Sequence, residues 1–175
     1  MKNNQLLIIC ICLSLFCNYS LYGQNQETST NGKIKSNSLY FEAFGNGLLY
    51  SINYEHLFTD NMGGRIGFMY LPSLNVVISS TKDLITIPLI FNYFIGENHK
   101  LELGGGIVYV SAGEVNSLFG LMNDDRGVSA VIGTAVVGYR YQPRNSGFLF
   151  KIGLTPFFNK RGAIISGGVS IGFNF

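Results

Sequence analysis

Residues 148–154 read FLFKIGL, and their pattern decides the fold. Phe148, Phe150, Ile152 and Leu154 occupy every second position, and Lys151 falls between two of them. A period of two residues is that of a β-strand with one apolar face and one polar face. The stretch therefore predicts a strand whose apolar side chains contact an apolar phase while its charge lies on the other side.

The same alternation recurs along the chain from residue 38 to residue 175. We predict eight strands, at 38–45, 48–58, 62–71, 84–95, 100–112, 129–142, 147–158 and 164–175. Most have the roughly 9–11 residues that a tilted strand needs to cross hydrocarbon. The alternative for the first two is one long strand over 38–58, kinked at Gly45, Asn46 and Gly47. Pro88 and Pro156 fall within strands, where they mark either bulges or displaced strand limits.

Charged residues well inside the predicted strands share the face opposite the apolar one. There are six of them, three acids and three bases: Glu42, Glu55, Arg65, Glu102, Arg140 and Lys151. A base that faces lipid near the midplane costs about 2–4 kcal/mol, so we expect all of them inside a barrel. A barrel of eight strands is just wide enough for its side chains to fill, and charges buried there must pair. The pattern predicts a neutral lumen filled by paired charges.

The composition is typical of a membrane protein that crosses the membrane with β-strands. Charged residues make up 13% of the chain and hydrophobic residues 47%. Beyond residue 20 no apolar run approaches the ~20 residues of a spanning helix. The predicted fold is all-β, an eight-stranded antiparallel up-and-down transmembrane barrel. A net charge of +2 does not indicate the strongly basic surface that binds nucleic acid.

The first residues predict export. Lys2 precedes the apolar run LLIICICLSLF at 6–16, so residues 1–23 are interpreted as a cleaved signal peptide. An uncleaved anchor is one alternative, and a lipoprotein modified at Cys17 is another, to which Phe16 is a poor fit. All three cysteines lie in this segment, so the mature chain is expected to hold no disulfide and no cysteine metal site. Residues 24–37 are expected to form a flexible periplasmic leader, and 38–175 the barrel.

Connection lengths predict how the barrel is oriented. Bacterial barrels have short periplasmic turns and longer outer loops. With a periplasmic N-terminus, the inner turns at 59–61, 96–99 and 143–146 are all short. The outer connections at 72–83 and 113–128 are long, whereas those at 46–47 and 159–163 are short. The first of these short outer connections is expected to be a compact hairpin.

The last predicted strand carries the clearest resemblance to known proteins. Residues 168–175 read GVSIGFNF, with Val169, Ile171, Phe173 and Phe175 at alternating positions. This resembles the C-terminal signal by which outer-membrane barrels are recognised by their insertion machinery. The barrel region looks like that of OmpA-like and opacity-type outer-membrane proteins, in segments such as NGLLYSINYE (46–55), KLELGGGIVY (100–109) and VGYRYQP (137–143). The resemblance implies location in the cell outer membrane, with its lipid and the insertion machinery as partners.

Several functions remain open on the sequence alone. A structural or surface-interaction role, with a partner contacting loops 72–83 and 113–128, is favoured over a channel or carrier for ions or small solutes. A soluble lipocalin-like barrel would need the reverse facing of charges. A lipid-modifying enzyme would need a histidine beside a serine and an acid, and neither His56 nor His99 has such neighbours in the predicted topology. We expect a monomer with no catalytic residues, cofactor or metal.

Overall fold

The computed structural model describes residues 35–175, except 73, 77–78, 82, 114, 119–121, 125–127, 145–146 and 160–161. The predicted signal peptide and most of the predicted leader therefore lie outside the described residues. Within them, no helix is long and apolar enough to cross a membrane. The strands are β1 (Asn37–Phe44), β2 (Tyr50–Thr59), β3 (Met62–Leu71), β4 (Leu74–Val76), β5 (Ser79–Thr81), β6 (Leu84–Gly96), β7 (His99–Ala112), β8 (Val115–Leu118), β9 (Met122–Asp124), β10 (Val128–Tyr141), β11 (Phe148–Asn159) and β12 (Gly162–Asn174).

Eight long strands close into an antiparallel barrel in the order β1-β12-β11-β10-β7-β6-β3-β2. Each strand pairs with its neighbour along the chain, and the pairing of β1 with β12 closes the circle. This confirms the predicted fold, and the observed strand limits lie within two residues of the predicted ones. The segment 38–58 forms two strands, so the alternative of one kinked strand is wrong.

The two ends of the barrel differ. We call the end where β1 begins and β12 finishes the termini end. The opposite end, which holds both long connections, is called the long-loop end. The long connections contain four short strands that pair as a separate sheet in the order β4-β5-β8-β9. These strands were not predicted from the sequence, and the pairing of Thr81 with Val115 joins one long connection to the other.

Both prolines are accommodated without bulges. The pairing of β3 with β6 keeps one register on either side of Pro88, and that of β10 with β11 does so around Pro156. The predicted alternatives, a bulge or displaced strand limits, are therefore wrong. Gly67 faces Pro88 across the strands, and a Cβ there would lie 2.7 Å from the proline ring. The missing side chain makes room for the ring.

The alternation places apolar side chains on the outer surface and mixed side chains inside. Outward residues such as Phe68, Val131 and Leu154 are exposed. At the long-loop end the interior is apolar, and its core consists of Leu48, Met69, Leu84, Val108, Val110, Ala112, Ile132 and Phe157. The rest of the interior is largely polar. The barrel therefore has two interior layers, of which the charge pattern predicted only one.

The seam between β1 and β12 depends on a close approach at Gly172. This residue pairs with Tyr40, and a Cβ on it would lie 2.3 Å from the Tyr40 Cβ and 2.3 Å from the Leu39 carbonyl oxygen. The backbone of β1 cannot move aside to make room for a Cβ as the end of a flexible side chain can. The outward Gly167 is different, because its nearest contact would be 3.4 Å away.

We expect Gly172→Ala to destabilise the barrel by about 1–3 kcal/mol, the usual penalty for overpacking. Gly167→Ala is the matched control on the same strand and should change the stability little. Urea unfolding of the refolded barrel in lipid vesicles measures both. Equal stability of the two variants would show that the seam tolerates a wider spacing.

Candidate functional site

The interior of the barrel contains all the charged residues singled out from the sequence. Glu42, Glu55 and Arg65 point inward from β1, β2 and β3. Glu102, Arg140 and Lys151 do so from β7, β10 and β11, and each of the six is at most 5% exposed. The two-residue period puts them there, because every one falls on the face opposite the outward apolar side chains.

One group of charges is built around Arg140. Its Nη1 lies 2.5 Å from Glu55 Oε2 and 3.8 Å from Glu102 Oε2. Glu102 in turn lies 2.7 Å from Lys151 Nζ. Two acids and two bases thus form a continuous chain of opposite charges, in which Arg140 and Glu55 are fully buried.

A second ion pair joins Arg65 to Glu42, with 3.3 Å between Nη1 and Oε1. Tyr40 connects it to the first group, because its hydroxyl accepts hydrogen bonds from Arg65 Nη1 at 3.3 Å and Lys151 Nζ at 3.1 Å. The ring of Tyr40 also lies 4.6 Å from the Lys151 ammonium. Tyr40 was not predicted as an interior residue, although it has the same parity as Glu42.

Neutral polar side chains form hydrogen bonds with two of the three interior carboxylates and with Arg140. Asn92 donates to Glu55 Oε1 at 2.7 Å, and Ser51 donates to Glu42 Oε2 at 3.3 Å. Gln142 accepts a hydrogen bond from Arg140 Nε at 2.8 Å. A buried ion pair is stable only when its remaining donors and acceptors are also satisfied. These contacts do so for Glu42 and Glu55, whereas the oxygens of Glu102 accept no hydrogen bond from the described residues and depend on their ion pairs alone.

The connection between β1 and β2 folds into the barrel instead of projecting from it. Gly45–Gly47 form a 3₁₀ turn, and these residues are buried together with Leu48. Leu48 packs in the apolar layer at the long-loop end. The connection is compact, as expected from the sequence, and its insertion into the barrel is a further feature that the sequence did not predict. We call residues 44–49 the inserted turn.

Hydrogen bonds hold the inserted turn to the surrounding wall. Asn46 donates to Thr134 Oγ1 at 2.7 Å and accepts from Arg65 Nη2. Thr86 donates to the carbonyl oxygen of Gly47 at 3.1 Å. Space for the turn comes from Gly168, where a Cβ would lie 2.9 Å from the backbone of the turn.

The backbone of the inserted turn has an unusual shape. Phe44 and Leu48 have φ angles of 61° and 75°, a region that residues other than glycine rarely adopt. Each such residue costs on the order of 1–3 kcal/mol and persists only when its surroundings fix it. Here the hydrogen bonds of Asn46 and the packing of Leu48 fix it.

Little free space remains inside. A cavity of about 10 Å³, room for about one water, is lined by Glu102, Lys151 and Thr155 among others. The hydroxyl of Thr155 has no hydrogen-bond partner and lies at this cavity. Chemically, the arrangement joins different walls of the barrel through ion pairs and hydrogen bonds.

The histidines lie at the termini end, on the outer surface. Asn37 contacts His56 through its Oδ1, 2.8 Å from His56 Nδ1. His99 Nδ1 lies 2.6 Å from the hydroxyl of Tyr139. Neither contact includes a serine or an acid. Within the described part of the chain, no group of three or more His, Cys, Asp or Glu side chains is placed to hold a metal ion.

The alternating C-terminal residues Val169, Ile171, Phe173 and Phe175 all point outward and are exposed. Their strand, β12, pairs with β1 over the range from Gly168 to Asn174. The amide of Phe175 then donates to the carbonyl oxygen of Asn37 at 2.9 Å. The four side chains therefore form one continuous apolar stripe next to the closing seam.

Lys100 is an interior charge that the sequence analysis left out. It is 5% exposed and lies on the same face of β7 as Glu102. The signal was present in the sequence, because residues 100 and 102 share a parity. Lys100 is the first residue of the predicted strand, and a charge at the end of a strand is usually solvated, so the sequence analysis did not include it among the interior charges.

Two solved structures resemble this barrel. The N-terminal β-barrel domain of Pseudomonas aeruginosa OprF matches with a TM-score of 0.58 and 19% identity, over 80% of this chain and 98% of that chain. Ail, the attachment invasion locus protein of Yersinia pestis, matches with a TM-score of 0.50 and 14% identity, over 81% of this chain and 100% of that chain. Both are small eight-stranded outer-membrane barrels, and this chain shares their fold. No protein-family model matches the sequence, and no curated protein matches it.

Proposed function

We propose that the protein resides in the bacterial outer membrane as a closed barrel with a structural or surface-interaction role. In this proposal residues 1–23 direct export and are removed, and 24–37 form a periplasmic leader. The observation that carries the proposal is the filled interior, in which the inserted turn and the paired charges occupy the lumen. A barrel filled in this way serves as a scaffold for its loops rather than as a path for solutes.

Membrane insertion is supported by the outer surface. Exposed side chains such as Phe41, Ile66, Ile107 and Val137 would each lose contact with water on insertion. A soluble lipocalin-like barrel would carry polar side chains at these positions and apolar ones where the charges lie. The stripe that ends in Phe175 supports recognition by the insertion machinery, since it presents its apolar side chains next to the seam.

A surface role is supported by the long connections. They extend beyond the barrel strands at one end, and the pairing of β5 with β8 ties them to each other. A paired sheet holds loop residues in a defined arrangement, which lowers the entropy lost when a partner binds. In the proposed orientation this end faces the outside of the cell.

Single cysteines test both location and orientation, because all three native cysteines lie within residues 1–23, which in this proposal are removed. We expect Pro72→Cys, an exposed position directly after β3 in the first long connection, to react with a membrane-impermeant maleimide on intact cells. Asn98→Cys, in the turn between β6 and β7, is the matched control and should react only after the outer membrane is opened.

Two other results of this labelling would contradict the proposal. Labelling of Asn98→Cys alone would reverse the orientation and place the long connections in the periplasm. Protection of both cysteines, together with release of the protein by carbonate washing, would identify a soluble periplasmic barrel. Heat-modifiable migration in detergent gels confirms that each variant is folded.

A further inference from the structure

Lys100 has an unusual environment for a lysine. It is 5% exposed, yet among the described residues its ammonium takes part in no ion pair and no hydrogen bond. The ammonium lies over the face of the Phe94 ring, with 5.5 Å between the ring centroid and Nζ. The other interior bases, Arg65, Arg140 and Lys151, each have a carboxylate partner. The Lys100 side chain lines a recess at the termini end, so an anion that enters the recess would pair with its ammonium.

Two further cations lie around the same space. Lys35, Lys100 and Arg144 line one recess at the termini end, together with Gln142, Pro143 and Asn174. None of the described residues that line this recess is an acid. Arg140 is already balanced by Glu55, so the excess positive charge belongs to the recess.

The amide side chains in the wall are committed to the barrel itself. Gln142 Nε2 donates to Asn174 Oδ1 at 3.0 Å, and Asn174 Nδ2 donates to the carbonyl oxygen of Phe148 at 3.1 Å. These bonds fix the wall of the recess and leave the cations as the groups available to a ligand. Lys35 and Arg144 are exposed, so their long side chains are free to rearrange around it.

We propose that the recess formed by Lys35, Lys100 and Arg144 binds a phosphate group. A phosphate monoester carries about −1.5 to −2 charges near pH 7 and three acceptor oxygens, which suits three converging cations. The phosphodiester of a lipid headgroup carries less charge and has fewer free oxygens, but it is also an anion that these cations would attract. The guanidinium of Arg144 offers two parallel donors to such a group, and the ammonium of Lys100 supplies a fixed charge beneath it. The recess holds about one water in its present form, so binding requires the exposed side chains to move outward.

The phosphate group has two chemical sources. A soluble phosphate ester would enter from the aqueous side of the termini end. A phospholipid headgroup would reach the recess from the membrane surface nearby. Both sources present a phosphate group to the recess, and they differ in whether a lipid must be present.

Isothermal titration of the full mature chain, refolded in octyl glucoside without phosphate, separates these cases. One arm adds inorganic phosphate, and the other adds short-chain phosphatidylglycerol to the micelles. We expect saturable binding in at least one arm. Lys100→Met should weaken it about tenfold or more, the scale for losing one charge-assisted hydrogen bond.

Two variants make the result specific. Lys100→Arg keeps the charge and should retain binding within a few-fold. Lys160→Met removes a cation from the sequence between β11 and β12 and should leave binding unchanged. Binding of inorganic phosphate identifies a soluble source, and binding of phosphatidylglycerol alone identifies a headgroup. No binding in either arm, or equal loss in Lys100→Met and Lys160→Met, would overturn the proposal.

Discussion

Replacing Arg140 with leucine is expected to lower the free energy of unfolding by about 3–5 kcal/mol, the cost of leaving a buried ion without its partner. Glu55 is fully buried and would lose the guanidinium that lies 2.5 Å away. Glu102 would keep Lys151 but lose its second cation. Urea unfolding of the barrel in lipid vesicles, followed by circular dichroism, measures the change.

Arg144→Leu is the matched control for this prediction. Arg144 is exposed in the turn between β10 and β11 and forms no ion pair among the described residues, so its loss should change stability by less than about 0.5 kcal/mol. Combining Arg140→Leu with Glu55→Leu should recover part of the lost stability, because the double variant no longer buries the unpaired carboxylate of Glu55. Equal effects of Arg140→Leu and Arg144→Leu would mean that the interior charges do not stabilise the barrel.

The side of the sheet to which each side chain points could be predicted from the sequence, because it is a local property of the strand. A strand turns its side chains alternately to either side, so the position of Lys151 among Phe150 and Ile152 fixes its direction without knowledge of any neighbour. The ion-pair partner of each interior charge could not be predicted in this way. Arg140 and Glu55 are 85 residues apart, and their contact depends on strand tilt and on the register of the whole barrel. No local pattern in the sequence encodes that contact.

The inserted turn is a second feature that periodicity could not reveal. The segment from Gly45 to Gly47 reads as a hairpin whether it projects outward or folds inward, because turn residues specify a tight reversal and not its direction. Leu48 and Leu49 are both apolar and adjacent, yet one is buried and the other exposed. Their environments follow from the positive φ of Leu48, which is set by tertiary packing.

The inserted turn therefore allows a direct test of the closed lumen. In planar bilayers we expect the native barrel to show no persistent open-state current. Leu48→Asp should show discrete channel openings, because a carboxylate cannot remain in the apolar layer around Met69 and Val110 without a large desolvation cost. Expulsion of the turn breaks the hydrogen bonds of Asn46, which opposes opening, but it also releases two strained residues, which lowers the energy of the open form.

Leu49→Asp is the control, since it adds the same charge one residue further on, at a position that is already exposed. It should leave the barrel closed. Both variants must first show heat-modifiable migration, so that a current reports a folded barrel. A folded Leu48→Asp barrel without current would mean that residues other than the inserted turn close the lumen. A steady current through the native barrel would contradict the filled interior and favour a channel, because the same paired charges would then line a path for ions.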